Sequence, residues 1–289
     1  MFKRSRAPIG RMLLLSLLAG CLGAGFGEAA TIGQWSSNTA NQVWASSGNF
    51  STIYAKATAA PQSHTIESPE AITGANLSNN NYFIISNPTV ALTGNELTNL
   101  VSWVHAGGIL LLFADPDPSA GGGTSTVSIV NSVLTTLGNG SSGTTMQVTN
   151  TTFGSLTQGF SGGTFASNDP ASSGLTGGMG FFQGYNLTGG NALMANTSSN
   201  PFYQVANGLR VDNFQLGKVY VFGEEFASNG AGTLNSNNAR FFVQLLAQQG
   251  SGGGFPGGDP LDSPEPATFA LSGLALAGLL AWRKMRSRP

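Results

Sequence analysis

The 289-residue chain has one cysteine, two histidines and few charges, and each scarcity removes a class of chemistry. The cysteine, Cys21, falls inside an N-terminal apolar segment, so the rest of the protein can form no internal disulfide and offers no thiolate nucleophile or metal ligand. Stability must come from packing alone. Asp, Glu, Lys and Arg make up 9% of the sequence, against roughly a quarter in ordinary globular domains. Between Thr31 and Gly258 the basic residues are Lys56, Arg210, Lys218 and Arg240, set against nine acidic ones, for a net charge of −5. A nucleic-acid partner needs a basic face to displace counterions, and this balance disfavours one. No repeat of fixed period emerges, which argues against a solenoid.

What is present begins at the two ends. Lys3, Arg4, Arg6 and Arg11 precede an apolar run, Met12 to Leu22, followed by small residues through Ala30. This is the order of a signal peptide, predicted over residues 1–30. Two processing chemistries fit it. Type I cleavage near Ala29 or Ala30 is one. The other reads Leu18-Ala19-Gly20-Cys21 as a lipobox, in which Cys21 is acylated and becomes the mature N-terminus.

At the far end, residues 248–262 hold Gly250, Gly252 to Gly254, Pro256, Gly257, Gly258 and Pro260, the composition of a flexible spacer. Pro264-Glu265-Pro266 follows, then an uncharged apolar stretch over 267–282, then the basic cluster Arg283, Lys284, Arg286 and Arg288. Sixteen helical residues extend about 24 Å, short of the roughly 30 Å hydrocarbon core, so spanning needs local thinning or snorkelling by Trp282 and Arg283. The positive-inside rule holds the cluster in the cytoplasm and puts everything before it outside.

This three-part tail, residues 263–289, resembles a PEP-CTERM sorting domain. The resemblance implies an exported envelope protein, recognised and processed by an exosortase-type enzyme. It implies membrane contact through the 267–282 helix before processing, then anchoring or release at the surface or matrix. The two prolines stop any upstream helix and keep the motif extended, within reach of a processing enzyme.

The body, residues 31–247, is long enough for one domain with a sizeable core. Its most legible block is Asn81 to Pro116. Tyr82 to Ser86 is an unbroken apolar and aromatic run of strand length closed by Asn87-Pro88. Thr93 with Glu96 forms a capping box signature. Leu97, Leu100, Val101 and Val104 then lay one apolar stripe along a helix, ended by Gly107-Gly108. Ile109 to Phe113 is a second apolar strand, giving a β-α-β unit with parallel strands.

Val127, Val130, Val133, Leu134 and Leu137 predict another helix. Before it, the glycine-rich turn 121–123 lacks the lysine of a P-loop and reads as a loop with a Thr or Ser N-cap. Residues 139–200 are rich in glycine, and only Thr144 to Val148 and Ala192 to Ala195 offer strand candidates. Gly217 to Gly223 is a clear strand, and Asn237 or Asn238 would cap a helix carrying Phe241, Phe242, Leu245 and Leu246. Residues 31–80 are poorly patterned, and Trp35, Trp44, Phe50 and Tyr54 there read as core plugs rather than a sugar-stacking platform.

The order of these segments, from Tyr82-Phe83-Ile84-Ile85-Ser86 through Gly217-Lys218-Val219-Tyr220-Val221-Phe222-Gly223 to Asn237-Asn238-Ala239-Arg240-Phe241-Phe242, resembles the flavodoxin-like domains of class I glutamine amidotransferase relatives. That implies an open, mainly parallel α/β sheet with flanking helices. Catalytic members of that group use a cysteine with a histidine and a carboxylate. The body has no cysteine, so the resemblance implies a scaffold without its catalytic residues and with no cofactor.

Among the remaining polar residues, His105 closes a predicted helix, where a protonated imidazole meets the negative end of the helix dipole. His64 sits near Pro61 in an irregular segment with no legible partner for base chemistry. No Gly-x-Ser-x-Gly elbow follows a strand, so an α/β-hydrolase mechanism is unsupported. Asp115 and Asp117 follow the C-terminal end of a strand, where ligands gather in open α/β sheets, although Asp-Pro pairs also simply start turns. Glu224 and Glu225 follow another strand and are positioned to approach them, which makes a calcium-like oxygen site conceivable.

Two functions fit. One is a non-enzymatic envelope or matrix scaffold whose partner is exopolysaccharide or another surface protein. The other is a secreted glycan hydrolase using Asp115, Asp117, Glu224 or Glu225 as acid and base, recognisable by two carboxyls about 5 to 10 Å apart in a cleft.

Overall fold

The β-α-β block folds as its pattern predicts. Strand β3 spans Tyr82–Ser86 and β4 spans Ile109–Phe113; they pair in parallel, Tyr82 opposite Ile109 through Ser86 opposite Phe113. The connecting helix α3 runs Gly94–His105 and begins with the capping box in full: Thr93 Oγ1 accepts from Glu96 N, while Glu96 Oε2 accepts from Thr93 N at 2.8 Å. Leu100, Trp103 and Val104 of α3 are fully buried, and Leu97 and Val101 partly so. The protein's structure, a computed structural model, describes residues 29–36, 44–59, 63–116, 123–166, 168–227, 229 and 236–248. Cys21, Asp117, nearly all of the expected signal peptide, the spacer and the tail with its 267–282 helix lie outside the described residues.

Around this block the chain builds one seven-stranded, mainly parallel sheet. β1 (Thr31–Gln34) and β2 (Thr65–Glu67) pair in parallel, with helices α1 (Ser51–Thr58) and α2 (Gly74–Ser78) in the connections before β3. After β4 come helix α4 (Thr124–Leu137) and an insertion of short strands. β5 (Gln147–Gly154) pairs antiparallel with β9 (Gln183–Thr188), and β6 (Phe160–Gly162) with β8 (Met179–Phe181). β7 (Thr164–Phe165) pairs with β11 (Met194–Ala195), while β10 (Asn191–Ala192) joins the edge of the main sheet. The hairpin β12 (Leu209–Phe214) and β13 (Gly217–Phe222) follows, and helix α5 (Ser236–Leu246) ends the described body.

The sheet order is β10-β12-β13-β4-β3-β1-β2; β13, β4, β3, β1 and β2 pair in parallel, and β12 alone runs against them, antiparallel to both β13 and the short edge strand β10. Counted along the chain, the parallel strands lie in the order second, first, third, fourth, fifth. Alternation along each strand splits the core into two layers. Tyr82, Ile84, Leu111, Phe113, Tyr220 and Phe222 face α1 and α5; Phe83, Ile85, Leu110, Leu112, Val219 and Val221 face α3 and α4. Phe222 lies at the centre of the first layer, its ring stacked on Phe113 with centroids 4.3 Å apart and packed against Phe241 and Phe242. Gly217 opens β13 where only glycine fits, since a Cβ there would lie 1.8 Å from the Val104 carbonyl. Trp35, Trp44 and Phe50 are buried core, and Tyr54 is half-buried.

Two capping expectations are corrected. Helix α4 starts at Thr124 with Gly123 at the N-cap, at φ +135°, and has no side-chain cap. Helix α5 starts at Ser236, and the asparagines expected to cap it reach elsewhere. Asn238 is fully buried and its Nδ2 donates to the carbonyls of Gly180 and Phe226; Asn237 Nδ2 donates to Gly178 O. Asparagine amides that can satisfy two separate loops are worth more there than at an exposed helix end. The strand expected at 144–148 is instead β5, starting at Gln147.

The N-terminal pole of the sheet is closed by polar clamps. Asp169 Oδ2 pairs with Lys218 Nζ at 2.9 Å, its Oδ1 accepts from Tyr220 Oη at 2.9 Å, and Gln248 bonds both Lys218 and Tyr220. Nearby, Ala30 N donates to His64 Nδ1, the His64 ring lies 6.5 Å from that of Tyr82, and Tyr82 Oη donates to Leu246 O. Among the described residues no helix is long and apolar enough to cross a membrane.

Candidate functional site

Three neighbouring parallel strands end at the opposite pole, and their first residues beyond the ladder meet. β3 runs into Asn87, which adopts a left-handed φ of +45°. β4 runs into Ala114 and Asp115, and β13 into Gly223, Glu224 and Glu225. Ladder-like bonds carry the ends forward: Asn87 N donates to Phe113 O at 3.1 Å and Ala114 N to Phe222 O at 2.8 Å. Gly223 permits the insertion to close over this end. Tyr185 N of β9 donates to Gly223 O at 2.7 Å, and a Cβ on Gly223 would sit 2.0 Å from the Tyr185 carbonyl.

Asn87 joins all three strands. Its Oδ1 accepts from Asp115 N at 2.7 Å and its Nδ2 donates to Glu225 Oε1 at 2.6 Å. Asp115 Oδ2 in turn accepts from Glu225 N at 3.3 Å. The positive φ, tolerated by asparagine better than by most residues, turns the amide inward between the two carboxylates. Sequence reasoning read Asn87-Pro88 as a turn only; its signal, an asparagine directly after a buried strand, is shared with many plain turns.

Glu224 is the unusual member. Oε1 accepts from Phe182 N at 3.2 Å, while Oε2 is buried without a hydrogen-bond partner among the described residues. Burial, and next the nearby Asp115 charge, hold its pKa well above the ordinary glutamate value. The same two causes, in the same order, raise Tyr185. Glu224 is therefore a carboxylic acid that keeps its proton to a higher pH than an ordinary glutamate, beside Asp115. Such a pair is the raw material of acid catalysis, but Asp115, Glu224 and Glu225 are only 5%, 3% and 5% exposed. A sugar ring could reach them only if the surrounding residues moved.

The structure places Asp115, Glu224 and Glu225 near one another. Among the described residues no group of three or more His, Cys, Asp or Glu side chains is arranged to hold a metal ion. His64 lies at the other pole, 3% exposed; burial lowers its pKa, and Nε2 has no partner among the described residues. It has no route to the carboxylates. His105 occupies the last turn of α3, as read. A further polar centre had no sequence signature: Asp212, 1% exposed, accepts from Ser141 Oγ, Ser142 N, Ser142 Oγ and Asn213 N. Burial pushes Asp212 upward, but these bonds together outweigh it and leave its pKa below the usual aspartate value. Its serine partners lie 71 and 70 residues away in a loop whose glycines and serines carry no periodicity.

Comparison with known proteins locates the fold and the tail. The mmIFT52 N-terminal domain is similar in structure, with a TM-score of 0.53 and 16% identity over 76% of this chain and 98% of that one. Cytoplasmic proteins STM3548 and STM1381 from Salmonella typhimurium each give a TM-score of 0.51, at 11% and 10% identity, over 75% of this chain and 97% of theirs. At such identity the likeness is one of α/β fold alone. None of the three is named as an amidotransferase, so the resemblance of the body to that group rests on the order of its segments. No curated protein matches the chain. Residues 264–287 match the family described as the PEP-CTERM protein-sorting motif, which marks this chain as an exported protein sorted at the cell envelope by an exosortase-type enzyme.

Proposed function

We propose that the protein is a non-enzymatic envelope or matrix scaffold: an α/β body displayed outside the cytoplasmic membrane, with the tail serving only for delivery. The observation that carries the reading is the matched motif at 264–287, downstream of a body in which Asp115, Glu224 and Glu225 are buried. Asp115 and Glu225 tie strand ends together through Asn87, which is structural work. The strand order second, first, third, fourth, fifth is that of flavodoxin-like sheets. It supports the kinship drawn from the sequence, to a scaffold lacking the amidotransferase cysteine. Exopolysaccharide or another surface protein is the partner expected of such a body.

The test is processing and placement. An epitope-tagged chain in an exosortase-bearing host should be shortened and become accessible to protease on intact cells. Replacing Pro264, Glu265 and Pro266 with alanine should leave a longer, membrane-retained form. An unchanged product in the cytosol would defeat the reading.

The hydrolase alternative draws on one feature, Glu224 with its raised pKa beside Asp115. If it holds, purified protein releases reducing ends from a glycan and Glu224→Gln abolishes the release. Turnover that survives this substitution, or no turnover at all, removes the alternative.

A further inference from the structure

The insertion between α4 and β12 carries an exposed aromatic surface that the envelope role leaves unexplained. Five large hydrophobic side chains are exposed among the described residues, and three belong to this insertion: Leu156 at 45%, Phe202 at 51% and Tyr203 at 37%. The rings are ordered. Buried Phe181 stacks on Phe160 at 5.7 Å, Phe160 stacks on Phe202 at 6.2 Å with planes 23° apart, and Tyr203 meets Phe160 edge-on at 5.4 Å. Phe202 is thus the outermost plate of a stack rooted in the core.

We propose that Phe202 and Tyr203, backed by Phe160, form a stacking platform for the neutral sugar rings of a polysaccharide outside the cell. The proposal deepens the scaffold reading and rests on it for the location of the partner. Three properties select this ligand.

First, charge is missing. From Asn139 to Gly208 the only charged residue is Asp169, and it is buried against Lys218. A polyanion or a basic peptide finds no counter-charge on this part of the molecule.

Second, the surroundings suit hydroxyl groups. The segment 196–207 is polar, and although Asn196, Ser198, Asn200, Gln204 and Asn207 bond within it, each such group keeps further donor or acceptor capacity, and Ser199 adds a hydroxyl. The hydroxyl of Tyr203 makes no hydrogen bond among the described residues. An aromatic face with a polar edge matches a sugar, whose CH faces stack on rings while its hydroxyls seek donors and acceptors.

Third, the platform is already ordered. Asn200 Oδ1 accepts from Phe202 N at 3.1 Å, Asn200 O accepts from Tyr203 N at 2.9 Å, and Asn196 Oδ1 accepts from Ala206 N at 2.9 Å. Little conformational freedom remains to be lost on binding.

The experiment uses the full chain purified in detergent and measures its retention on a panel of neutral polymers, a β-glucan, a mannan and a galactan, with a polyuronate as the charged comparator. Binding to at least one neutral polymer is expected, and it should persist in high salt because no ion pair takes part. Phe202→Ala should weaken it about five- to tenfold, Tyr203→Ala similarly and Tyr203→Phe less. Both positions are exposed, so the fold should survive, which circular dichroism checks. Leu216→Ser, removing a 76% exposed leucine from the turn between β12 and β13, should leave binding unchanged.

No binding to any neutral polymer, binding to the polyuronate alone, or binding indifferent to both aromatic substitutions would overturn the proposal. So would sedimentation showing that the patch instead joins two copies of the chain, with Phe202→Ala dissociating them. Purified protein binds or fails to bind wherever the cell delivers it, so this outcome is separable from the processing test.

Discussion

Replacing Glu224 with glutamine should make the protein's stability less dependent on pH. In the folded state the carboxyl is fully enclosed, one oxygen has no partner among the described residues, and Asp115 lies nearby, so its pKa is well above the ordinary value. In the unfolded chain it titrates near about 4.3. Between those two values the folded protein holds a proton that the unfolded chain has released. The favourable contribution is therefore complete below about pH 4.3 and is lost as pH rises, by about 1.4 kcal/mol per pH unit, until the folded pKa is reached. Glutamine keeps the shape and retains an oxygen to accept from Phe182 N, but it cannot ionise. Urea denaturation of both proteins from about pH 4.5 to about pH 7.5 should give curves that diverge as pH increases and level off once the folded pKa is passed, the variant becoming the more stable. Curves that stay parallel across the range would refute the claim that its surroundings raise the pKa of Glu224.

Asp212 should behave in the opposite sense. Asp212→Asn removes a buried carboxylate that accepts from two serines and two backbone amides, and should cost about 2 kcal/mol at neutral pH by denaturant titration. Because its folded pKa is depressed, that difference should shrink as pH falls below about 3.9 through the folded pKa. Thr93→Ala breaks the capping box of α3 and should destabilise by about 1 kcal/mol, seen as a lower melting temperature with the fold unchanged.

The parts of this fold that could be read from the sequence are those whose signals are local. Tyr82 to Ser86 and Ile109 to Phe113 are buried on both faces, so every position but Ser86 is apolar or aromatic, and Thr93 with Glu96 marks the start of α3 whatever surrounds it. The insertion is illegible for the opposite reason. Its strands β6, β7, β8, β10 and β11 are two or three residues long, too short for any period to register. Their partners are distant, as with Thr164 and Phe165 opposite Ala195 and Met194. β1 was hidden because Gly33 replaces an apolar side chain: a Cβ there would lie 2.6 Å from the Phe83 ring, so the tight packing that defines the strand also removes its signature. At the candidate site the acidic residues were visible as types after strands. Their enclosure, and the amide of Asn87 that locks them, depend on three strand ends converging, which no stretch of sequence contains.

The contacts from Ala30 through His64 and Tyr82 to Leu246 give the body the geometry of a bracelet with its clasp at one pole. Where the described body begins and where it ends are tied through the same few side chains, so a change at His64 or Tyr82 should loosen both ends at once.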